Sequence, residues 1–246
     1  MIDQTTYVTQ AGEILKSYDD FGLRKTERTQ ISAPVRDARR TRLAGVNGDR
    51  DVMRLMGFPA TYAPRTVTDT YVYIKRPRDW ETVRTRLYAK INGGPCRVIV
   101  GGDEWYYWEG DVSVTEPKNG RDAMTLKIVA NVFPYKYERF SSVEGWLWDP
   151  LDFRTGIIRD YRGIEVDGTR ALTIPCLDLP VIPGFWTADA GITVTYDGAT
   201  GALTQRDAAA AKIYEQFAGI VLGAGDRTLT FSGTGTVDVF YRGGRL

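Results

Sequence analysis

The stretch "NVFPYKYERF", residues 131–140, marks the point at which this chain changes character. Just before it, "MTLKIVANV" (124–132) puts Leu126, Ile128, Ala130 and Val132 on one face of an extended strand, because side chains alternate sides along a strand. Pro134 has no N–H to give to a ladder, so pairing is expected to stop there. The charge balance changes across the same point. Residues 1–140 hold 23 Lys and Arg against 18 Asp and Glu, whereas residues 141–246 hold 9 against 13. A sign change between halves points to two domains with different neighbours, here at 1–138 and 139–246.

Hydrophobic residues make up 43% of the 246, enough for a sizeable core. No apolar run reaches the roughly 20 residues that span a bilayer. The stretch "MIDQTTYVTQ" lacks the basic flank and apolar run of a secretory signal. The expectation is a soluble protein made in the cytoplasm, with no membrane partner. Cys96 and Cys176 share no motif spacing and read as two buried free thiols. Histidine is absent. That removes every Ser-His-Asp or Cys-His arrangement and every His-ligated metal site, together with the commonest acid–base near neutral pH. No catalytic residue, cofactor motif or metal site emerges, and the chain reads as a non-enzyme.

In the first half, "SYDDFGLRKTERTQISAP" turns at Asp19, Asp20 and Gly22, and residues 23–31 read as one strand. Asp20-Phe21-Gly22 matches the metal-binding triplet of protein kinases only by chance, since no His-Arg-Asp loop can accompany it. Along the following segment Arg36, Arg40 and Arg42 fall on one face of an extended strand and Arg39 on the other, before a loop punctuated by Gly45 and Gly48. "TVTDTYVYIK" (66–75) is a strand by its β-branched and aromatic content. The one strong helix signal is "RDWETVRTRLYAKINGG". Asp79 is its expected N-cap, Trp80, Val83, Leu87 and Ile91 form a buried stripe, and Gly93-Gly94-Pro95 provide the stop. An antiparallel meander follows through "CRVIV", "EWYYWEG" and "DVSVTE", with a turn at Pro117–Gly120.

The second half alternates short β patterns with turn signals, which suggests a sandwich. Asp167-Gly168 and Asp197-Gly198 read as hairpin turns, and so does Gly233-x-Gly235, which leads into strand pattern and not into a phosphate-binding helix. "RDAAAAKIYEQF" (206–217) has the composition of a short helix.

Several of these stretches together resemble the distal tail protein (Dit) family of long-tailed, non-contractile bacteriophages. They are "SYDDFGL" with Gly22, the Gly45–Asp49 loop, and the helix opened by Asp79-Trp80. The others are "WYYWEGDVSV" with Tyr107 and Gly110, the strand closed by Pro134-Tyr135-Lys136, and the final "LGAGDRTLTFSGTGTVDVFYRGGRL". The resemblance implies a mainly β protein: an N-terminal β-sandwich with one α-helix that forms a ring, then a C-terminal galectin-like β-sandwich. It implies a homo-hexamer at the virion tail tip, assembled in the host cytoplasm, surrounding the DNA exit channel. Implied partners are the tail tube protein, a tail-tip or tail-associated protein and receptor-binding proteins. No cofactor is implied.

Sharper chemical readings compete with plain ones. Arg36, Arg39, Arg40 and Arg42 could meet phosphates, but a chain with net charge +1 lacks the strong basicity of a nucleic-acid binder, so a solvated or subunit-facing strand is favoured and no sequence-specific nucleic acid is expected. Trp146, Trp148, Asp149 and Asp152 could line a sugar site, against simple packing under a linker. "WYYW" (105–108) would place Trp105 and Tyr107 on one sheet face and Tyr106 and Trp108 on the other, as core or as a stacking platform. The alternative to an assembly protein is therefore a carbohydrate-binding or glycan-active module of two β-sandwiches.

Overall fold

Alternation of apolar and polar side chains builds the two longest strands of the first half, and those strands pair with each other along their whole length. In Arg65–Tyr73 and Met124–Val132 every second residue is buried. Their antiparallel register runs from Met124 opposite Tyr73 to Val132 opposite Arg65. The computed structural model describes residues 3–42, 44–45, 47–56, 60–74, 77–115, 118–120, 123–144 and 160–246. The chain divides into two compact units, Met1–Lys136 and Tyr137–Leu246.

The first unit contains β1 (Thr6–Thr9), β2 (Ile14–Lys16), β3 (Arg24–Lys25), β4 (Gln30–Ile31), β5 (Arg40–Arg42) and β6 (Asp49–Asp51). A single-turn helix α1 (Val52–Leu55) precedes β7 (Arg65–Tyr73), and α2 (Pro77–Lys90) precedes β8 (Gly94–Ile99). Then come β9 (Tyr106–Val114), β10 (Lys118–Asn119) and β11 (Met124–Val132). The main sheet runs β2-β1-β8-β9-β11-β7-β3. Four strand spacings separate β1 from β7, which is about 19 Å in a flat sheet. Yet the Tyr7 hydroxyl lies 3.2 Å from that of Tyr71, and Thr5 Oγ1 donates to Asp69 at 2.7 Å. The sheet must therefore curl until its ends face each other, and one set of strands supplies both layers. Trp80, Val83 and Leu87 of α2, with Ile91 just beyond it, join Tyr7, Val98, Val112, Leu126 and Ile128 in a single core.

Local details differ from the sequence reading. Residues 23–31 form two short strands, β3 and β4, which both pair with β7 and are broken at Thr26–Thr29. The helix starts two residues before Asp79, at Pro77, whose missing N–H costs nothing in a first turn. Asp79 sits inside that turn, where a carboxylate suits the positive end of the dipole. Lys118–Asn119 pair with β11 instead of forming a turn, and Gly120 N–H donates to the Ala123 carbonyl.

The second unit contains β12 (Lys136–Glu138, which begins one residue before the unit does), β13 (Ile164–Cys176), β14 (Gly184–Trp186) and β15 (Thr193–Tyr196). It continues with β16 (Ala199–Ala202), β17 (Glu215–Gln216), β18 (Gly225–Phe240) and β19 (Gly244–Arg245). Strand order is β16-β15-β18-β14-β17, with β13 also on β18. The 16 residues of β18 would reach about 53 Å if straight. A unit of some 100 residues has a radius of gyration near 13 Å, so the strand must bend. The result is a curled sheet of galectin-like form, closed over Phe185, Ile192, Val194, Phe231 and Val239. The described residues are mainly β.

The bend explains two misread hairpins. Asp167-Gly168 and Gly233-x-Gly235 lie inside β13 and β18 and face each other, Gly168 opposite Gly233. Gly168 has φ 73°, Gly233 131° and Gly235 143°. A Cβ on Gly235 would overlap the Asp189 carboxylate, which accepts the Thr236 N–H at 2.7 Å. Glycine is needed there for close approach as well as for the bend. Only Asp197-Gly198 forms a true hairpin turn, between β15 and β16, with φ 46° and 79°. The expected helix at 206–217 is absent. Asp207–Ala210 make a turn, Ala211–Tyr214 carry no regular structure, and Glu215–Gln216 pair as β17.

Candidate assembly surface

Between β4 and β7 the chain leaves the sheet as an arm. None of the described residues from Ser32 to Pro64 is buried. Ser32 N–H donates to the Thr66 carbonyl at 3.0 Å, and the Arg65 Nε donates back to the Ser32 carbonyl at 2.8 Å, which fixes the point of departure. Further out, Asp37 and Ala63 donate to the carbonyls of Thr61 and Val35, both at 2.9 Å. The arm ends in the two-stranded ribbon β5–β6, with Arg40 opposite Asp51 and Arg42 opposite Asp49. Arg36 reaches Asp51 at 3.1 Å. Opposite charges directly across a ribbon help hold its register.

A two-stranded ribbon with no core is marginal in water. This one also displays Val35 at 63%, Leu55 at 61% and Met56 at 65% exposure. The arm as a whole, residues 32–64, carries six arginines and three aspartates. The groove beside the ribbon is lined by Arg36, Arg40, Asp49, Arg50, Asp51 and Leu55. Arginines of this kind, partly paired and beside exposed aliphatic groups, suit a protein interface better than a hydrated surface.

Of the arginines read from sequence, Arg40 and Arg42 do share one strand face. The strand is not continuous from Arg36, which makes only an isolated bridge to Tyr62. Arg39 lies outside regular structure, and its carbonyl accepts the Val52 N–H at 2.9 Å. Gly45 and Gly48 lie at the ribbon tip, with φ 79° and 78°. Gly22 closes the turn before β3, its N–H donating to the Tyr18 carbonyl at 2.8 Å, and Trp80 is in the core.

The remaining motif residues do converge, at the end of β11. Gly110 stands opposite Val132, and a Cβ on it would strike the Asn131 carbonyl and the Val132 backbone. Phe133 N–H donates to the Glu109 carbonyl at 2.9 Å, the last ladder contact before Pro134. Lys136 Nζ then lies 2.6 Å from Asp103 and 4.5 Å from the centre of the Tyr106 ring. Tyr135 packs edge-on against Tyr62 of the arm, at 6.1 Å between ring centres. The Pro-Tyr-Lys motif thus fastens the end of the first unit to its own sheet and to the base of its arm. Asp103 was legible only as a turn residue and Tyr62 carried no local signal.

Trp105–Trp108 departs from strict alternation. Trp105 precedes β9 and is 38% exposed, while Tyr107 and Trp108 are both buried, under Arg97 at 5.1 Å and Arg65 at 4.7 Å from their ring centres. The cations cover the rings, and neither ring is a free stacking platform. Burial pulls the Arg65 pKa down from its ordinary value.

The sheet face turned away from the core is polar. Thr66, Thr68 and Thr70 of β7 lie beside Asn131, Val129 and Lys127 of β11, and Ser113 and Asp111 of β9 continue the row. All are exposed or half-exposed. Among the described residues no group of three or more His, Cys, Asp or Glu could hold a metal ion. Trp146, Trp148, Asp149 and Asp152 lie outside the described residues.

Among the solved structures that match this chain is one that aligns over its full length. It is the crystal structure of the SPP1 Dit (gp 19.1) protein, described as a paradigm of the hub adsorption apparatus in phages that infect Gram-positive hosts. The two align over 100% of both chains with a TM-score of 0.61 and 11% sequence identity. This chain shares the fold of a phage tail-hub protein. No family model and no curated protein matches it. At 11% identity the Dit likeness is one of fold, in both units and in their order along the chain.

Proposed function

We propose that this chain is a distal tail protein: six copies form a ring at the tip of a long, non-contractile phage tail. The observation that carries the reading is the arm. A segment of more than thirty residues with no buried side chain among those described, and with exposed Val35, Leu55 and Met56, calls for a partner surface. An arm that projects from one copy onto a different surface of the next makes a head-to-tail contact, and such contacts form a ring when the rotation between copies closes. Six is the number that the Dit resemblance implies.

The hydroxyl-rich face of β7, β11 and β9 suits the wall of a hydrated passage, since it offers hydrogen bonds without a strong charge of either sign. DNA would slide past it without binding. The first unit would sit against the tail tube and a tail-tip protein, and the galectin-like unit would hold receptor-binding proteins. The boundary at 138–139 and the roles of Pro134, Tyr135 and Lys136 as a joint belong to the same proposal. The particle would reside in the virion after assembly in the host cytoplasm.

Light scattering and negative-stain imaging of the purified protein, alone and with its tail neighbours, test the ring. The expected particle is a closed ring of about 166 kDa, six times the 27.6 kDa chain mass. Arg40→Glu with Arg42→Glu should leave folded monomers. A wild-type protein that stays monomeric even beside its neighbours would refute the proposal.

A further inference from the structure

On the second unit, Trp186 of β14 and Asp238 of β18 stand directly opposite each other in the ladder. Asp238 is 4% exposed and Trp186 8%. One carboxylate oxygen of Asp238 accepts the Gly163 N–H at 2.7 Å. The other accepts the ammonium of Lys212, and the same Nζ lies 4.3 Å above the centre of the Trp186 ring. Tyr214 packs at 5.5 Å against Phe240, two residues along from Asp238, and closes the side of the site. Its phenol pKa is raised, by burial first and by the Asp238 charge next.

An aromatic face and a buried carboxylate aimed at one point form a receptor for an ammonium ion. Here the ion comes from the chain itself, on a strap with little else to hold it. Asp207–Ile213 has no helix or strand and every side chain in it is exposed. Four of the seven are alanines, and Ile213 is 66% exposed. Lys212 is itself 44% exposed, so its head group can leave into water. A buried aspartate in a central strand is costly unless it is paired. The cation bonded to it sits on a movable strap and not on a strand of the sheet, while Arg162, bonded to Asp160, adds only a through-space attraction.

We infer that Trp186 and Asp238 form a binding site for a primary ammonium group, which Lys212 occupies in cis until the strap is displaced. The external group could be carried by an amino sugar or by a lysine side chain, and the chemistry is common to both. An internal occupant lowers apparent affinity by the fraction of time the site is open. The wild type is therefore a weak receptor and a variant without Lys212 a stronger one.

The test is calorimetric titration of the full chain with n-butylammonium, glucosamine, N-acetylglucosamine and Nα-acetyl-lysine methylamide. Lys212→Ala should bind n-butylammonium on the order of tenfold more tightly than wild type. Adding Asp238→Asn to it should abolish the gain, and N-acetylglucosamine should not bind either protein. Glucosamine binding without the lysine amide would name an amino sugar, and the reverse would name a protein lysine. Lys212→Met keeps the aliphatic stem over the indole and replaces the alanine variant if that one unfolds. No gain in either Lys212 variant, or a gain that survives Asp238→Asn, would overturn the inference. Both readouts are independent of whether the chain forms rings.

Discussion

Asp69→Asn tests the central feature of the first unit, the inward-facing ion pair that ties the curled sheet to its edge. The Asp69 side chain is 2% exposed and lies 3.3 Å from Lys25, whose side chain is 4% exposed. Thr5, Thr29 and Tyr71 donate to the same carboxylate at 2.7, 2.6 and 3.0 Å. Removing one partner of a buried pair costs about 3–5 kcal/mol, because the other charge remains buried. Lys25 keeps a second partner, Asp3 at 3.1 Å, itself half exposed, which places the expected loss at the low end, about 3 kcal/mol. That is a large part of the roughly 5–15 kcal/mol by which a domain is stable. Lys25→Met should cost a similar amount alone but far less on top of Asp69→Asn, giving a coupling of about 2 kcal/mol or more in a double-mutant cycle. Hydrogen exchange of the β7 and β11 amides measures the first unit separately from the second. The exposed pair Lys90–Glu13 is the control and should contribute less than about 1 kcal/mol. A loss under about 1 kcal/mol for Asp69→Asn, or strictly additive singles, would show that this pair does not hold the two layers together.

Three further outcomes follow from the same geometry. Gly110→Ala should destabilise the first unit by about 3 kcal/mol, since the obstacle is the backbone of Asn131 and Val132 and cannot rotate away; urea melts check it. Lys136→Met should cost about 1–2 kcal/mol through the lost contacts to Asp103 and Tyr106, and should raise protease sensitivity near residue 137. Both thiols are buried, and burial, followed by the Asp111 charge, pushes the Cys96 pKa up, so little thiolate forms at pH 8; a chromogenic disulfide should label neither cysteine natively and both in urea.

What could be read from sequence was what is written locally. The stripe Trp80, Val83, Leu87 and Ile91 is buried as expected, and so are Leu126, Ile128, Ala130 and Val132, because period and polarity fix a face wherever one side meets a core. The stop after Val132 followed from proline chemistry. Errors arose where one residue type serves two structures. Glycine at positive φ makes a hairpin at Gly198 and a strand bend at Gly168, and only the partner across the ladder, Gly233, distinguishes them. Alanines at 208–211 favour a helix intrinsically, but a single turn of helix without an apolar stripe gains too little to nucleate there.

The arm shows the limit most clearly, and also why it is informative. Val35, Leu55 and Met56 have the same side-chain chemistry as the core residues of β7 and β11, so composition alone assigns them inside. Their exposure depends on the absence of a second layer over the described residues of 32–64, a fact of tertiary packing that no window of sequence contains. Fully burying each such side chain is worth about 1.5–3 kcal/mol. With 61–65% of each still exposed, the three together offer about 3–6 kcal/mol to a surface that covers them, no more than the association cost. Contact through one arm alone would thus be weak. In a closed ring every copy gives one arm and receives another, so two contacts hold each subunit and the second forms at high effective concentration. Deleting residues 38–61 from a single copy in a tandem fusion of six should then open the ring without unfolding the subunit, because no described residue of the deleted segment lies in the core. Loss of folding in that copy, measured by hydrogen exchange, would mean that the arm serves its own subunit and not its neighbour.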